Sequence, residues 1–288
     1  MYHPVISDVE GLEISAAERA LFSEFPPYGF ILFKRNCENS EQIRALTSEM
    51  REIIGFDNAP ILIDQEGGRV ARLGQPNWPV YPSAGVYSKL YETNPDLASS
   101  AVQVQAQLMA GELSKVGISV NCYPVADLLH SGADKVIGDR AYGDCPNKVS
   151  VLAQSAAQGT INGGIIPMIK HLPGHGRADV DSHKELPVVR ASLNDLRKTD
   201  FIPFSYLSYL PCAMTAHVIY TAIDPINCAT LSKTVISDII RDKIGFKGVL
   251  FSDDLSMKAL SGRPEKNALD ALSAGCDLAV HCNGDILE

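Results

Sequence analysis

Side chains able to do acid–base and electrostatic chemistry gather in four short stretches of this sequence. Asp64 opens the first, DQEGGRVAR, and Lys170 and His171 open the second, KHLPGHG. The third is DSH at 181–183, and the fourth is SDD at 252–254. Carboxylates, imidazoles and cations placed together can bind a polar ligand, move protons or hold a metal ion. What they do depends on whether the fold brings the four stretches to one place.

Short apolar runs precede these stretches and predict the strands that would position them. Eight runs rich in Val, Ile and Phe recur between longer segments of helical period, a pattern typical of parallel strands buried on both faces. The predicted strands are Val5–Val9, Gly29–Phe33, Pro60–Asp64, Gly117–Cys122, Ile165–Lys170, Pro211–Ala216, Gly248–Ser252 and Asp277–Cys282. The chemical stretches follow the third, fifth and seventh strands, with DSH further along the loop after the fifth.

Helices are predicted between the strands from their capping residues. Asn39 precedes Ser40 to Ile54, and Asn94 with Pro95 opens a run to Val116 that Gly117 stops. Further helices are predicted after Cys145, Ser192 and Ser232, the last running towards Gly245. Eight alternations of strand and helix predict a closed (β/α)8 TIM barrel, α/β in class, in which residues 1–288 form one catalytic domain. An open doubly wound sheet would show fewer strands and a glycine-rich phosphate turn near its start.

The end of the sequence predicts an incomplete outer layer. Glu288 comes directly after the eighth run, so the final C-terminal helix is expected to be missing. An apolar strip over the first and last strands would then be exposed, filled by a neighbour or covered by another segment.

Composition narrows the class of partner and the location. A formal net charge of −9 argues against binding of nucleic acid, and no segment approaches the roughly 20 apolar residues that span a membrane. The first residues have no signal-peptide pattern, and the seven cysteines are odd in number and scattered. We therefore expect a cytoplasmic protein with buried free thiols and no membrane partner. The absence of a long coiled segment suggests a monomer or weak dimer.

The motifs DQEGGRV, KHLPGHG, DSH and FSDDLSM occur together, in order, at strand ends. This set resembles the family three glycoside hydrolases, specifically the single-domain bacterial β-N-acetylhexosaminidases of peptidoglycan recycling. The resemblance runs from Asp8 to the end of the eighth strand. It implies a retaining exo-β-N-acetylglucosaminidase that acts through a covalent glycosyl-aspartate, without metal ion or cofactor. The implied substrate is a small saccharide or muropeptide, from which terminal N-acetylglucosamine is removed from 1,6-anhydro-N-acetylmuramyl groups.

The resemblance also implies residue roles. Asp253 is the expected nucleophile, and His183, paired with Asp181, is the expected acid/base. The residues expected to bind the terminal sugar are Asp64, Arg72, Arg140, Lys170 and His171.

Physical chemistry leaves part of this assignment open. Glycosidic bonds break through an oxocarbenium-like transition state, which needs negative charge beside the anomeric carbon and a proton for the leaving oxygen. Successive residues of a strand point to opposite faces, so at most one of Asp253 and Asp254 should face that carbon. Spacing does not choose between them; the resemblance selects Asp253, and Asp254 is expected to act as a cap or hydrogen-bond acceptor. A nucleophilic acetamido group of the substrate is the alternative to a covalent aspartate.

Physical chemistry also leaves the identity of the proton donor open. Glu66 and Glu185 are the available carboxylic acids, whereas a histidine held by an aspartate can also donate near neutral pH. Asp181 is close enough in sequence to His183 to fix its tautomer. The glycines at 174 and 176 and the polar stretch 177–182 predict a mobile loop, with His183 away from Asp253 until sugar binds.

Two other functions fit barrel histidines and aspartates. A metal-dependent barrel hydrolase could use His171, His175, His183, His217 and Asp253 as ligands. No His-x-His follows the first strand, no His-Glu-x-x-His occurs, and a lysine beside a metal histidine would repel the ion. A non-catalytic sugar-binding barrel would usually lack the nucleophile or the acid, and both candidates are present here.

Overall fold

Eight parallel strands close into a barrel in the computed structural model, which describes residues 2–282. The strands of the protein are β1 His3–Ser7, β2 Pro27–Leu32, β3 Ile61–Ile63, β4 Val120–Asn121, β5 Ile166–Leu172, β6 Val188–Val189, β7 Cys212–Thr215, β8 Ile219–Tyr220, β9 Val249–Asp254 and β10 Leu278–Val280. The barrel order is β1-β10-β9-β7-β5-β4-β3-β2, while β6 and β8 form a separate two-stranded sheet. The predicted (β/α)8 barrel is therefore confirmed, and each of the eight predicted strands overlaps one barrel strand.

Helices surround the barrel, and four of the α-helices begin directly after a residue predicted to precede a helix. The α-helices are α1 Ala16–Glu24, α2 Ser40–Ile54, α3 Ala84–Tyr91, α4 Pro95–Lys115, α5 Pro146–Asn162, α6 Leu193–Lys198, α7 Phe201–Tyr206 and α8 Pro264–Ala274. Short 3-10 helices are Lys34–Asn36, Gly138–Arg140 and Ala229–Leu231. The Asn39 side chain accepts hydrogen bonds from the first-turn amides of α2, and Asn94 does the same for α4. These contacts satisfy amides that have no partner within the helix.

Three details differ from the sequence-based expectation. The segment after Ser192 is two short helices, because the chain breaks at Asp200, whose buried carboxylate turns inward to Arg177 and His130. The segment after Ser232 is a π-helix, Val235–Lys243, that buries the apolar face read from the sequence. The small β6–β8 sheet was not predicted at all. The expected lack of a helix after β10 concerns residues that lie outside the described range.

The barrel strands are buried on both faces, which explains their continuous apolar runs. Leu62 of β3 points into the barrel, whereas Ile61 and Ile63 point outward to the helical layer. The barrel interior is filled by a cluster of Ile6, Ile31, Leu62, Val120, Cys122, Met168, Cys212, Met214, Phe251, Leu278, Val280 and Cys282. The polar ends of the strands therefore project beyond a solid apolar floor. Within residues 2–282, no helix has the length and apolar character needed to cross a membrane.

Helices α4 and α5 pack so closely that one position tolerates only glycine. A β-carbon added at Gly159 of α5 would overlap the carbonyl oxygen of Gln103 and approach the Ala106 methyl of α4. Gly111 of α4, in contrast, has open space around the position of a β-carbon and carries no positive φ.

We predict that Gly159→Ala lowers the free energy of unfolding by roughly 2 kcal/mol, because overpacking separates the two helices. Gly111→Ala is the matched control and should raise it by up to about 1 kcal/mol, since alanine is the better helix former. Urea unfolding followed by circular dichroism measures both. Equal effects of the two substitutions would contradict the close crossing.

Candidate active site

A cavity of about 530 Å³ opens at the carboxyl ends of the barrel strands. Its volume lies within the range of small-molecule binding sites. All of the predicted site residues line it, namely Asp64, Arg72, Arg140, Lys170, His171, Asp181, His183 and Asp253. Apolar side chains that include Phe33, Met214 and Met257 complete the wall. The fold thus brings the four chemical stretches of the sequence together, while the role of each residue stays a prediction.

The loop after β3 is fixed by one glutamine. The Gln65 amide oxygen accepts hydrogen bonds from the backbone amides of Arg72 and Leu73, at 2.8 and 3.0 Å. Its backbone amide and carbonyl both bond to the side chain of Asn121 on β4. Gly67 has a φ of 93°, a conformation that other residues rarely adopt. These contacts turn the DQEGGRVAR stretch back over the barrel mouth, so that the side chains on either side of Gln65 face the cavity.

Five charged side chains form one buried network on this side of the cavity. Lys170 Nζ lies 2.6 Å from Asp64 Oδ1 and 2.7 Å from Glu66 Oε1. Arg72 bonds the other oxygen of Asp64 at 2.8 Å, and Arg140 holds both oxygens of Glu66 at 2.8 and 2.9 Å. Lys170 is only 2% exposed. Two carboxylates and three cations therefore lie within hydrogen-bonding distance of one another, with one positive charge in excess.

The network lowers the pKa of Glu66, one of the two carboxylic acids considered as the proton donor. Burial alone would raise the pKa of the Glu66 carboxyl, but the charges of Arg140 and Lys170 hold it at about 2. Burial would likewise raise the pKa of Asp64, but Lys170 and Arg72 hold it well below its usual range. Glu185, the other candidate, is exposed and does not line the cavity. Sequence reasoning missed that Glu66 belongs to the same charged network as Asp64, although both residues stand in one motif.

His171 is oriented by a buried aspartate that the sequence did not single out. Asp127, on the segment after β4, is 0% exposed and its Oδ2 lies 2.7 Å from His171 Nδ1. Burial would raise the pKa of Asp127, but the His171 ring and then His175, including its backbone amide, lower it. Because Nδ1 is used in this bond, Nε2 is the ring nitrogen left for a ligand. No motif signals Asp127, since its partner is 44 residues away.

Asp253 and Asp254 lie at the end of β9, where the strand register is irregular. Leu278 pairs with Phe251 and Val280 with Asp254, so the shift falls between them. The Ser252 hydroxyl accepts the Val280 amide at 2.8 Å and fills the gap in the ladder. Simple alternation of side chains therefore does not hold here, and both carboxylates reach the cavity wall.

Hydrogen bonds distinguish the two aspartates instead. The Asp254 carboxylate accepts bonds from the amides of Ser256 and Cys282, at 2.9 and 3.1 Å, and so caps a turn as predicted. His217 bonds the Asp254 carbonyl and Thr230, and fixes this strand end. Burial would raise the pKa of Asp253, but the nearby histidines 217 and 171 lower it, whereas burial raises the pKa of Asp254. Asp253 is thus the aspartate whose pKa is lowered, whereas the Asp254 oxygens are occupied by the turn.

Asp181 and His183 form a pair at the cavity mouth. Asp181 Oδ1 accepts the backbone amide of His183 at 3.0 Å and lies 2.9 Å from Nδ1 of the same ring. The His183 side chain is 65% exposed, whereas that of Asp181 is 20% exposed. This arrangement leaves Nε2 of His183 as the nitrogen directed away from its partner. Both residues line the same cavity as Asp253, and the predicted movement of their loop stays a prediction.

The five candidate metal ligands are not gathered into one group in residues 2–282. Across residues 2–282, no group of three or more His, Cys, Asp or Glu side chains is arranged to hold a metal ion. Of the five candidate ligands, His217 is fully buried and bonded to Thr230 and the Asp254 carbonyl, away from the cavity lining. The cations Lys170 and Arg140 take the positions around Asp64 and Glu66 that a metal would otherwise compete for.

Comparison with known proteins connects this cavity to one family. Residues 8–288 match the N-terminal domain of glycosyl hydrolase family 3. The beta-hexosaminidase of Alkalilimnicola ehrlichii is 39% identical over 286 residues, which cover 97% of this chain and 80% of the relative. The beta-hexosaminidase of Bordetella avium is 37% identical over 294 residues, covering 99% of this chain and 83% of the relative.

Solved structures show the same similarity. NagZ from Neisseria gonorrhoeae in complex with N-trifluoroacetyl-D-glucosamine is similar with a TM-score of 0.89 and 34% identity. The alignment covers 98% of this chain and 82% of that one. A family 3 β-N-acetylglucosaminidase from Paenibacillus is 32% identical with a TM-score of 0.85, over 97% of this chain and 53% of that one.

We predict that Glu66→Gln lowers the free energy of unfolding by about 3 kcal/mol at pH 7, because it leaves Arg140 and Lys170 buried with one carboxylate fewer. The folded pKa of Glu66, about 2, lies below its ordinary value of 4.5. Its stabilising contribution is therefore complete above pH 4.5 and is lost as the pH falls towards 2. Urea unfolding measures the free energy of unfolding of the parent chain and of Glu66→Gln, and the difference between them should be smaller at pH 3 than at pH 7.

Asp139→Asn is the matched control for this prediction. Asp139 pairs with Arg69 at 3.0 Å, but both side chains are about half exposed. Exposed pairs contribute roughly 1 kcal/mol or less, so this substitution should change stability little. A Glu66→Gln effect no larger than that of Asp139→Asn would contradict the buried network.

Proposed function

The chain belongs to glycosyl hydrolase family 3 and is a glycoside hydrolase of the β-hexosaminidase type; on this premise, we propose that it is a retaining exo-β-N-acetylglucosaminidase. The proposed reaction removes terminal N-acetylglucosamine from 1,6-anhydro-N-acetylmuramyl saccharides or peptides during peptidoglycan recycling. The proposal rests mainly on one observation. Asp253, the Asp181–His183 pair and the charged network all line the same cavity.

Asp253 is the proposed nucleophile. Its carboxylate attacks the anomeric carbon and forms a glycosyl-aspartate, while the bond from that carbon to the leaving oxygen breaks. The lowered pKa of Asp253 supports this role, since the nucleophile must be ionised at neutral pH. The alternative acetamido route would need a carboxylate to orient the substrate amide. Asp254 suits that task poorly, because its oxygens already accept bonds from Ser256 and Cys282.

His183 is the proposed acid/base. Its imidazolium gives a proton to the leaving oxygen in the first step, and its neutral ring takes a proton from water in the second. That water attacks the anomeric carbon, releases Asp253 and yields the sugar with retained configuration. The bond from Asp181 to Nδ1 supports the role, because it fixes the tautomer and stabilises the imidazolium.

The charged network and His171 are proposed to bind the terminal sugar. Asp64 can accept two hydroxyls, while Lys170, Arg72 and Arg140 can donate to hydroxyl or acetyl oxygens. The network is rigid before a ligand arrives, because each charge is held by a partner of opposite sign. A small polar sugar can therefore bind without a large ordering cost.

We propose that residues 1–288 act as one catalytic domain, as a monomer or weak dimer, in the cytoplasm. All seven cysteines are free, and five of them are buried, which suits a reducing compartment. The N-trifluoroacetyl-D-glucosamine bound by the gonococcal relative supports a terminal sugar that carries a 2-acylamino group.

We predict that Asp253→Ala lowers kcat/KM on a chromogenic N-acetylglucosaminide by at least roughly 10³-fold, because the covalent route is lost. Asp254→Asn is the matched control at the neighbouring position; it keeps an acceptor for the turn and should retain most activity. Trapping with a fluorinated sugar should label the peptide that contains Asp253. Equal rates for the parent chain and Asp253→Ala would overturn the proposal, and labelling of no residue would favour the acetamido route.

We predict that His183→Ala lowers kcat/KM by roughly 10²-fold or more for a substrate with a poor leaving group, such as a disaccharide. A nitrophenyl glycoside needs little protonation, so its glycosylation step should be affected far less. The pH profile should also lose the limb that reports the acid. Glu185→Gln is the control, since this exposed carboxylate does not line the cavity. If Glu185→Gln lowered kcat/KM as much as His183→Ala does, the assignment of His183 as the acid would be wrong.

A further inference from the structure

His175 and Ser182 form a buried pair that the proposed reaction does not use. His175, in the KHLPGHG stretch, is 2% exposed, and so is Ser182, the middle residue of the DSH stretch. His175 Nε2 lies 3.0 Å from Ser182 Oγ. Burial and the neighbouring His171 lower the pKa of His175 to about 4, while Asp127 and Asp253 act in the opposite direction. The bond at neutral pH therefore joins two neutral groups.

We propose that His175 is a positioning residue that holds the Asp181–His183 pair at the cavity mouth through its bond to Ser182. The inference rests on the proposed function, because it assigns His175 to the acid/base of that reaction. His175 does not act on the sugar itself; it acts through the loop that carries His183.

The contacts of the loop support this role. Asp181 binds its neighbours His183 and Lys184, so those contacts fold the segment upon itself without joining it to the barrel. In the part of the chain that the structure describes, the His175–Ser182 bond is the one hydrogen bond that links segment 180–186 to the residues outside it. Ser182 is buried between two residues whose side chains are directed to the cavity mouth. The base of the loop is closed by the Asp179 carboxylate, which accepts the Val188 amide at 3.0 Å. Between these ends, the position of His183 relative to the barrel depends on the His175–Ser182 bond and on packing.

The other end of the bond is rigid. The His175 backbone amide donates to Asp127 Oδ1 at 2.6 Å, and Asp127 Oδ2 also bonds the His171 ring. A β-carbon at Gly176 would overlap the carbonyl oxygen of Leu128, so the chain after His175 packs directly on the segment after β4. One connected path thus runs from His171, through Asp127 and His175, to Ser182.

A single hydrogen bond between neutral groups favours one position of a loop but still allows the loop to leave it. Such a bond shifts an equilibrium between a held and a released loop by roughly 2- to 10-fold. The loop can then release during turnover and return to the same place. Removal of the bond should lower the fraction of molecules with His183 in position, not the chemistry of the molecules that retain it.

Four variants test the role. Ser182→Ala and His175→Leu remove the bond, whereas His175→Gln places an amide near the former Nε2 and should restore it. Ser150→Ala is the matched control, because Ser150 is also buried, at 3% exposure, and its hydroxyl bonds only the Pro146 carbonyl of its own helix.

Hydrogen–deuterium exchange of the ligand-free protein gives the first measurement. Peptides that cover 177–186 should exchange roughly 2- to 10-fold faster in Ser182→Ala and His175→Leu, and at the parent rate in His175→Gln and Ser150→Ala. Unchanged exchange in Ser182→Ala would overturn the proposal. This measurement does not need activity, so it separates failure of the inference from failure of the proposed function, which inactivity of the parent chain would show.

Kinetics give the second measurement. Ser182→Ala should lower kcat/KM roughly 2- to 10-fold on the disaccharide and little on the nitrophenyl glycoside, as a weaker form of His183→Ala. In a His183→Ala background, the same substitution should have no further effect. Equal losses on both substrates, or an additive loss in the double variant, would show a merely structural role and overturn the proposal.

Discussion

The burial of Lys170 is the constraint on which the cavity depends. An ammonium group taken out of water is tolerated only beside opposite charge, and Asp64 and Glu66 supply it at 2.6 and 2.7 Å. These carboxylates in turn need Arg72, in the loop after β3, and Arg140, in the 3-10 helix Gly138–Arg140. The ends of β3 and β5 and the segment that carries Arg140 are thereby fixed to one another. A rigid polar wall follows from the need to balance one buried charge.

Much of the fold could be predicted because its physical causes are local or repetitive. Strands buried on both faces give continuous apolar runs, and the side-chain caps at Asn39 and Asn94 act on amides within three residues. The β6–β8 sheet has strands of two residues, too short to leave a pattern. The break before α7 depends on the contacts of Asp200 with Arg177 and His130, 23 and 70 residues away. Such contacts exist only once the chain has folded.

The candidate site, like the fold, could be predicted from the sequence only in part. The motifs at strand ends predicted which side chains meet, because carboxyl ends of parallel strands share one edge. The assignment of Glu66 needed its partner Arg140, which lies 74 residues away, and Asp127 carries no motif at all. The comparison of Asp253 with Asp254 relied on regular alternation, which the register shift between Phe251 and Asp254 interrupts. An irregularity of this kind is set by the neighbouring strand and is invisible in the sequence of β9 alone.

The closure of the barrel links the two ends of the described chain. Strand β1 pairs with β10, and β10 also supports the end of β9, through Val280 to Ser252 and Cys282 to Asp254. During synthesis β1 emerges from the ribosome before β10. The first strand can pair early with β2, but its pairing with β10 has to wait until β10 has been made. Asp253 acquires its final surroundings only at that point, so a partly synthesised chain has no complete cavity.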